Sequence, residues 1–403
     1  MGTAKSEPRA PKRATKKTTT KPRPRLKAKA ASVEIEATVT EAAPAPPMRT
    51  AIKVLRAGQS WHGGTHAWDL PTQRADGSWG PGAWTPRVTP RLGSTGYHLT
   101  RDPVEWWGRD GDVVAYLAEH DGAVDDQGGE KISVERCRLL RPLTTAELEA
   151  HGIYFTGQHG EVTNARLIGG DARIDSLAGC EVREMRGSSQ VREMRGSSQV
   201  REMRGSSQVG VMRESSQVGE MRESSQVRVM RESSQVGVMR ESSQVREMWE
   251  SSQVGEMRES SQVRVMRESS QVREMRGSSQ VGVMRESSQV REMWESSQVR
   301  EMWESSQVRV MRESSQVREM RGSSQVGVMR ESSTAHASGD AVVIVRRGYG
   351  DSRPTVTVRG RASVLDYRPS RPTHHVADEG QVLTLAADGT VSQAPTTEAA
   401  DAR

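Results

Sequence analysis

The sequence predicts a mainly β protein in which a small α+β N-terminal domain precedes a nonapeptide-repeat β-solenoid, with disordered tails at both ends. Three observations support this prediction. A nine-residue unit, Val-x-x-Met-x-x-Ser-Ser-Gln, is repeated seventeen times without an insertion or deletion between Val182 and Thr334. Residues 48–152 carry strand and helix-capping patterns, whereas residues 1–47 are basic and lack periodicity. The predicted organisation is a tail (1–47), a domain (48–152), a lead-in to the solenoid (153–181), the repeats (182–334), capping strands (335–370) and a mostly disordered tail (371–403).

The N-terminal tail is rich in Lys and Arg, interleaved with Pro, Ala and Thr. Such a tail neutralises phosphates and releases counterions, which predicts salt-sensitive, non-specific affinity for nucleic acid. Two alternatives stay open: the tail only adds solubility, or Met48 is the natural start. The candidate nucleic-acid contacts are Lys12, Arg13, Lys16, Lys17, Lys21, Arg23, Arg25, Lys27 and Lys29.

In the domain at 48–152, residues 51–56, 113–118 and 131–140 read as three strands, and the first and third alternate in side-chain character. Asp102-Pro103-Val104-Glu105 has the order of a helix start and would place Trp106 and Trp107 on a short helix. Thr144 and Glu147 form a capping box for a second helix, and Gly152 ends it.

The segment from Gly96 to Thr100 (Gly-Tyr-His-Leu-Thr), the following Asp102-Pro103-Val104-Glu105-Trp106-Trp107 and the two later strands resemble an uncharacterised domain at the N-terminus of bacterial and bacteriophage proteins. In those proteins a Gly-aromatic-His motif precedes a short helix and two strands. The resemblance covers roughly residues 50–145, and similar proteins often continue into Ser-Ser-Gln-Val repeats. It implies an architecture and no established activity.

The period of nine excludes most regular structures. On an α-helix nine residues turn about 900°, so successive valines would face opposite sides and no apolar stripe would form. Coiled coils repeat after seven or eleven residues, and one continuous strand of odd period would send alternate valines to opposite faces. A β-solenoid fits, with one strand and one turn per unit and about 18 residues per coil. The alternative is a disordered array left by recent duplication.

Comparison of the copies separates an inside from an outside. We number the unit from Val (position one) to Gln (position nine); positions one, four, seven and eight are constant, and only Thr334 departs from Gln at nine. Position two is Arg or Gly, three is Glu or Val, five is Arg or Trp, and six is Glu or Gly. Such exchanges are tolerated where side chains face the solvent. Val, Met and the second Ser are therefore predicted to point inward, Gln outward, and position six to be the turn.

The two ends are predicted from shorter patterns. Residues 341–345, 355–358 and 362–365 read as strands of less regular final coils, which the solenoid needs because open strand edges otherwise associate. Beyond Arg371 only a hairpin around Asp388-Gly389 is predicted.

Little in the sequence indicates catalysis, and neither a cofactor nor a metal is predicted. His62 and His66 are four apart but lack a third ligand, and His374-His375 lies in the predicted tail. Cys137 and Cys180 are predicted to be small buried residues.

The best enzyme interpretation combines Arg56, the segment 97–100 and Glu119, a pattern loosely similar to ADP-ribosyltransferase folds. Ice binding is disfavoured, because the variable positions carry Arg and Glu and no flat Thr-x-Thr face is present.

The sequence therefore predicts a non-enzymatic structural or interaction protein. The repeat rod would act as a spacer, or would self-associate through its ends, with the basic tail holding it to non-specific nucleic acid. No apolar run approaches the roughly 18 residues of a membrane span, so neither a membrane partner nor secretion is expected. The expected location is the cytoplasm. The alternative is a small enzyme or ligand-binding domain at 50–150 carried on an inert rod.

Overall fold

The computed structural model describes residues 49–60, 66–107, 113–346, 354–370, 372–378 and 381–395. The chain is mainly β, as predicted, with 54% of the described residues in strands and 3% in helices. Its N-terminal elements are β1 (Arg49–Arg56), β2 (Thr72–Gln73), β3 (Trp79–Gly80), β4 (Tyr97–Thr100), a one-turn 3₁₀ helix (Val104–Trp106), β5 (Val113–Asp125), β6 (Lys131–Pro142) and α1 (Thr145–Ala150).

Four of these strands close into a small antiparallel barrel in the order β1-β4-β6-β5, and β2 pairs with β3 as a separate ribbon. β1 pairs with β5 along its whole length. Alternation along β1 sends Ala51 and Leu55 into the barrel with Leu99 and Cys137, while Ile52 and Val54 face outward. The outward pair packs with Trp107 and with residues of the first solenoid coil, so the barrel and the solenoid share apolar contacts.

The predicted strands and the second helix of this domain are present. α1 has the expected capping box, in which Thr144 and Glu147 bond reciprocally. The helix predicted after Asp102 is only one 3₁₀ turn. Its N-cap is Pro103, not Asp102 as predicted, although Asp102 Oδ1 accepts from the Val104 amide at 3.0 Å. Trp107 is extended, and the centroid of its buried ring lies 5.1 Å from that of Phe155. Burial of Trp107 against the solenoid therefore ends the helix early.

The solenoid begins with β7 (Ile153–Tyr154), β8 (Gln158–Val162), β9 (Leu167–Ile168) and β10 (Arg173–Ala178). Each of the seventeen units then contributes one strand from Gln, or its equivalent, to Met. These strands are β11 (Glu181–Met185), β12 (Gln190–Arg195), β13 (Gln199–Met203), β14 (Gln208–Met212), β15 (Gln217–Met221), β16 (Gln226–Met230), β17 (Gln235–Met239), β18 (Gln244–Met248), β19 (Gln253–Met257), β20 (Gln262–Met266), β21 (Gln271–Met275), β22 (Gln280–Met284), β23 (Gln289–Met293), β24 (Gln298–Met302), β25 (Gln307–Met311), β26 (Gln316–Met320) and β27 (Gln325–Met329).

Successive strands alternate between two 14-stranded sheets. Sheet I holds the even-numbered strands from β8 to β30 with β33 and β34, and sheet II the odd-numbered strands from β7 to β31 with β32. Each valine pairs in parallel with the valine 18 residues later, for example Val182 with Val200. Two units therefore make one coil, as predicted. The solenoid has about 12 coils, which at a strand spacing of about 4.8 Å gives a length of roughly 55 Å.

The predicted inside and outside of the unit are confirmed. Val, Met and the second Ser of every copy are buried, while Gln at position nine stays outside. Val and Met are three residues apart, so the strand does not alternate strictly and position three is half-buried. Position six is the turn: twelve copies carry Glu there with positive φ, and five carry Gly. Among the described contacts, Gln298 at position nine accepts a hydrogen bond from Arg318 at 3.0 Å.

The C-terminal end contains β28 (Thr334–Ala337), β29 (Val342–Val345), β30 (Thr355–Arg359), β31 (Ser363–Asp366), β32 (Thr373–Val376), β33 (Gln381–Leu385) and β34 (Val391–Pro395). β28 to β31 continue the parallel coils. β32 and β33 then add antiparallel to β31 and β30, and β34 completes the hairpin predicted around Asp388-Gly389. More of the stretch beyond Arg371 is ordered into strands than the sequence indicated, because Leu383 and Leu385 are buried on the last coil.

Candidate functional site

The predicted site residues have different fates. The nine basic residues from Lys12 to Lys29 lie outside the described residues, as does His62. Arg56 and Glu119 are placed far apart: Arg56 pairs with Val113 and Glu119 with Thr50 on the same two strands, a separation of six residues or about 20 Å. Glu119 is buried and bonded to Arg138. The strands thus do not bring the ADP-ribosyltransferase-like set together.

A cluster of four side chains, Lys53, His66, Trp68 and Tyr97, packs against the barrel core. Lys53 lies on the same face of β1 as Ala51 and Leu55, and its side chain is buried. Its Nζ donates to the carbonyl oxygen of His98 at 3.0 Å and lies 4.6 Å from the centre of the Trp68 ring. The rings of His66, Trp68 and Tyr97 meet edge to face above it, with centroids 5.0–5.9 Å apart.

Burial sets the protonation of this cluster. Desolvation lowers the pKa of Lys53 to about 8, against a weak opposing effect of Cys137. Desolvation also lowers the pKa of His66 and of His98, aided by the positive charge of Lys53. The Cys137 thiol has its pKa raised by burial to about 12 and is therefore protonated at neutral pH. A lysine of this kind is partly neutral near pH 8 and can act as a nucleophile toward carbonyl groups.

On the rod, many arginines at position five are ion-paired. Eight of them form ion pairs with the glutamates of position three, in the same coil or the preceding one. Arg222 contacts Glu220 at 3.0 Å and Glu202 at 3.1 Å. Burial alone would raise the pKa of Glu220, but Arg222 and Arg240 outweigh it and hold that pKa below its usual value. These ion pairs neutralise the eight arginines.

Three units carry an uncharged tryptophan instead of arginine at position five. Trp249 lies between Arg231 and Arg267, at 5.9 and 4.5 Å from ring centre to guanidinium carbon. Trp294 and Trp303 are flanked by arginines of adjacent coils in the same way. Each tryptophan therefore replaces an ion pair by a cation–π stack.

The arginines at position two are different, because from Arg192 onward they are exposed. Across the seventeen units position two is Arg or Gly and never acidic, and its outer neighbour on the strand is the uncharged Gln of position nine. Within the described part of the chain, no ion pair involves a position-two arginine from Arg192 onward. On sheet I, shallow grooves are lined by the Gln side chains of position nine and by the residues of position two. We call the position-two residues of sheet I the arginine column: Arg192, Gly210, Arg228, Arg246, Arg264, Gly282, Arg300 and Arg318.

The sequence contained signals for both features. Alternation over 51–56 already places Lys53 on one face with Ala51 and Leu55. The restriction of position two to Arg or Gly is visible in the repeats, but only the ion-pair geometry distinguishes the free arginines of position two from the neutralised ones of position five.

Comparisons with protein-family models, with curated proteins and with solved structures found no match to this chain. Among the described residues, no group of His, Cys, Asp or Glu is arranged to hold a metal ion. No helix in the same part of the chain is long and apolar enough to cross a membrane.

Proposed function

We propose that this protein is a non-enzymatic spacer: a β-solenoid rod that separates an N-terminal barrel from a C-terminal cap. The observation that carries the proposal is the uninterrupted parallel register of the seventeen units, in which every coil adds one strand to each sheet. A stack of this kind lengthens by about 4.8 Å per coil without changing its cross-section. Length is thus the property that the repeat number controls.

The ends of the rod favour a spacer over end-to-end association. At the N-terminal end, Ile153 and Leu167 pack against Ile52, Val54 and Trp107 of the barrel side. Arg166 forms an ion pair with Asp102 at 2.5 Å, and Arg183 donates to the Val104 carbonyl at 3.0 Å. At the other end, antiparallel strands follow the last parallel ones. Both ends therefore have covering elements, which are the features that limit association of open sheets.

The spacer proposal is tested by distance measurements between spin labels on Gln127→Cys and Arg361→Cys, which lie on opposite sides of the array and are solvent-exposed. The native cysteines are buried and should not label. Deleting residues 236–253, which is one coil, should shorten the distance by about 4.8 Å, and deleting two coils by about twice that. The undeleted label pair is the control. A distance that does not follow the number of coils would contradict the proposal.

Two finer assignments belong to the same proposal. The Gly96-Tyr97-His98 segment leads into β4 of the barrel, so we assign this domain to the bacterial and bacteriophage N-terminal domains that it resembles. We also propose that the basic tail tethers the rod to nucleic acid. Deletion of residues 1–47 should then lower retention on nucleic acid at low salt, and unchanged retention would refute the tether.

A second candidate function is ligand binding by the barrel, and the burial of Lys53 favours it. A buried amine under an aromatic cluster suits a small carbonyl compound, which a lysine of lowered pKa attacks. Reductive trapping with a small aldehyde at pH 8, followed by peptide mass analysis, should label Lys53 in preference to Lys131. Equal labelling of both lysines would leave Lys53 with a structural role only.

A further inference from the structure

We propose that the arginine column of sheet I binds the phosphate backbone of a single-stranded nucleic acid along the rod axis. This surface is separate from the basic tail, and the inference goes beyond the spacer function. It rests on four properties of the column: exposure, absence of neutralising partners, regular spacing and uncharged polar neighbours.

The first step is the charge. Arg228, Arg246 and Arg264 occupy consecutive strands β16, β18 and β20, all three exposed. In-register parallel strands place them about 4.8 Å apart, a distance at which like charges in a ladder repel. No carboxylate relieves this repulsion in the described structure. A linear polyanion would, and binding would release the counterions gathered along the column.

The second step is where the carboxylates of these coils go. Glu247 accepts from the Trp249 ring nitrogen at 3.0 Å. Glu232, at the turn, accepts from the Glu214 amide at 2.9 Å. The acidic residues of the repeats thus lie at position three or at the turn, and the Gln–Arg face itself carries no negative charge over the repeats.

The third step is the shape of the partner. The column from Arg192 to Arg318 spans seven strand spacings, or about 34 Å, along the direction in which the strands stack. In a duplex the phosphates of one strand wind around the axis once per turn of about 34–36 Å, so they follow a straight column for only part of a turn. A single strand can follow the whole column. The guanidinium groups suit phosphate oxygens in bidentate geometry, and the Gln amides beside them offer sequence-tolerant donors and acceptors.

The opposite face provides a matched control. Sheet II has Gly219, Gly237 and Gly255 at position two in the units that alternate with those of Arg228, Arg246 and Arg264. Its arginines in the same region, Arg222, Arg240 and Arg258, are at position five and ion-paired to glutamates. Removing three arginines from either face changes the net charge equally. Only the substitutions on sheet I remove arginines that have no ion-pair partner in the described structure.

The experiment compares three full-length proteins: the unaltered chain, Arg228→Gln/Arg246→Gln/Arg264→Gln, and Arg222→Gln/Arg240→Gln/Arg258→Gln. Fluorescence anisotropy with a labelled oligo-dT measures affinity across a series of salt concentrations. The first triple variant should bind about 10- to 100-fold more weakly at low salt, and its slope of log K against log salt should be shallower by about 2, since single strands contribute about 0.7 per phosphate. The second triple variant should stay within about twofold of the unaltered chain.

The basic tail is present in all three proteins, so its contribution is common and the difference reports the column. Equal affinity of the first triple variant and the unaltered chain would overturn the proposal, as would an equal loss in both triple variants. Competition by a blunt duplex as effective as that by the single strand would overturn the single-strand assignment. Circular dichroism verifies that each variant keeps the solenoid, and the spin-label distances test the spacer function independently of this result.

Discussion

At the scale of single residues, Lys53 links burial to pH. Its pKa is about 8 in the folded chain and near 10.5 when exposed, so between these values the unfolded chain binds more protons than the folded one. The free energy of unfolding should therefore rise with pH through this window, and below pH 8 the buried ammonium should be a constant destabilising contribution of about 3 kcal/mol.

Lys53→Met removes this linkage. We expect the variant to be more stable than the unaltered protein at pH 7, by up to about 3 kcal/mol, and the difference to vanish above about pH 10.5. Denaturant unfolding at a series of pH values measures it, with Lys131→Met, at a half-buried lysine, as the control. A difference between the two proteins that does not change from pH 7 to pH 10.5 would contradict the lowered pKa.

The buried residues of the unit contribute unequally to the free energy of unfolding. Met248 is fully buried in the stack, and Met248→Ala should cost about 2–5 kcal/mol through lost contacts and a cavity. Ser243 is equally buried, yet its hydroxyl has no hydrogen-bond partner in the structure. Ser243→Ala should therefore be neutral or stabilising by about 1 kcal/mol. Urea unfolding of both variants checks this contrast, and a cost above about 1.5 kcal/mol for Ser243→Ala would show that the hydroxyl is bonded.

At the scale of the element, the turn at position six explains the exchange of Glu and Gly. A left-handed backbone conformation is costly for a residue with a side chain, by about 1–2 kcal/mol. The glutamates recover part of this cost, because the carboxylate of one coil accepts from the position-six amide of the preceding coil, as Glu259 does from Glu241 at 3.0 Å. Gly avoids the cost and offers no carboxylate. The two residues are thus alternative solutions to one turn.

Substitutions at Glu241 separate the two effects. Glu241→Ala keeps the backbone strain and loses the acceptor of the Glu223 amide, so it should be less stable than Glu241→Gly by about 1 kcal/mol. Glu241→Gln, which keeps the backbone strain but retains an acceptor oxygen, is the control and should lie between Gly and Ala in stability. Thermal unfolding followed by circular dichroism gives the order. If Ala is at least as stable as Gly here, backbone strain does not govern this position.

At the scale of the whole molecule, the C-terminal strands end the two sheets. Removing residues 371–403 would uncover the edges of β30 and β31 together with the apolar surface now occupied by Leu383 and Leu385. Uncovered edges of this length pair with other chains. We expect this truncated protein to associate with rising concentration while the full chain does not, as measured by sedimentation velocity.

The matched control for this truncation ends at Pro395 and retains β32, β33 and β34. It should sediment like the full chain. Association of both truncated proteins to the same extent would show that residues 396–403, and not the three strands, limit association. Absence of association in both would show that the rod needs no cap at this end.

Much of the fold follows from the sequence because the repeat multiplies one local rule seventeen times. The odd period excludes an α-helix and a single continuous strand. The constant positions mark the interior, and the exchange of Glu and Gly at position six marks the turn. Position three shows the limit: its half-burial depends on the kink between the buried Val and Met, which a strict alternation does not anticipate. The local sequence also could not predict that the helix after Asp102 is a single 3₁₀ turn, because burial of Trp107 on the solenoid ends it.

The sequence by itself thus determined the solenoid, its coil of two units and its inner face, because each of these follows from periodicity and from side-chain volume. Only the tertiary structure decided which charges remain free. Arg at position two and Arg at position five are the same residue, three apart in the unit, and their difference arises when stacking brings glutamates of adjacent coils beside one and not the other. The closure of the barrel over Lys53 and the separation of Arg56 from Glu119 likewise depend on strand pairing between segments distant in the chain.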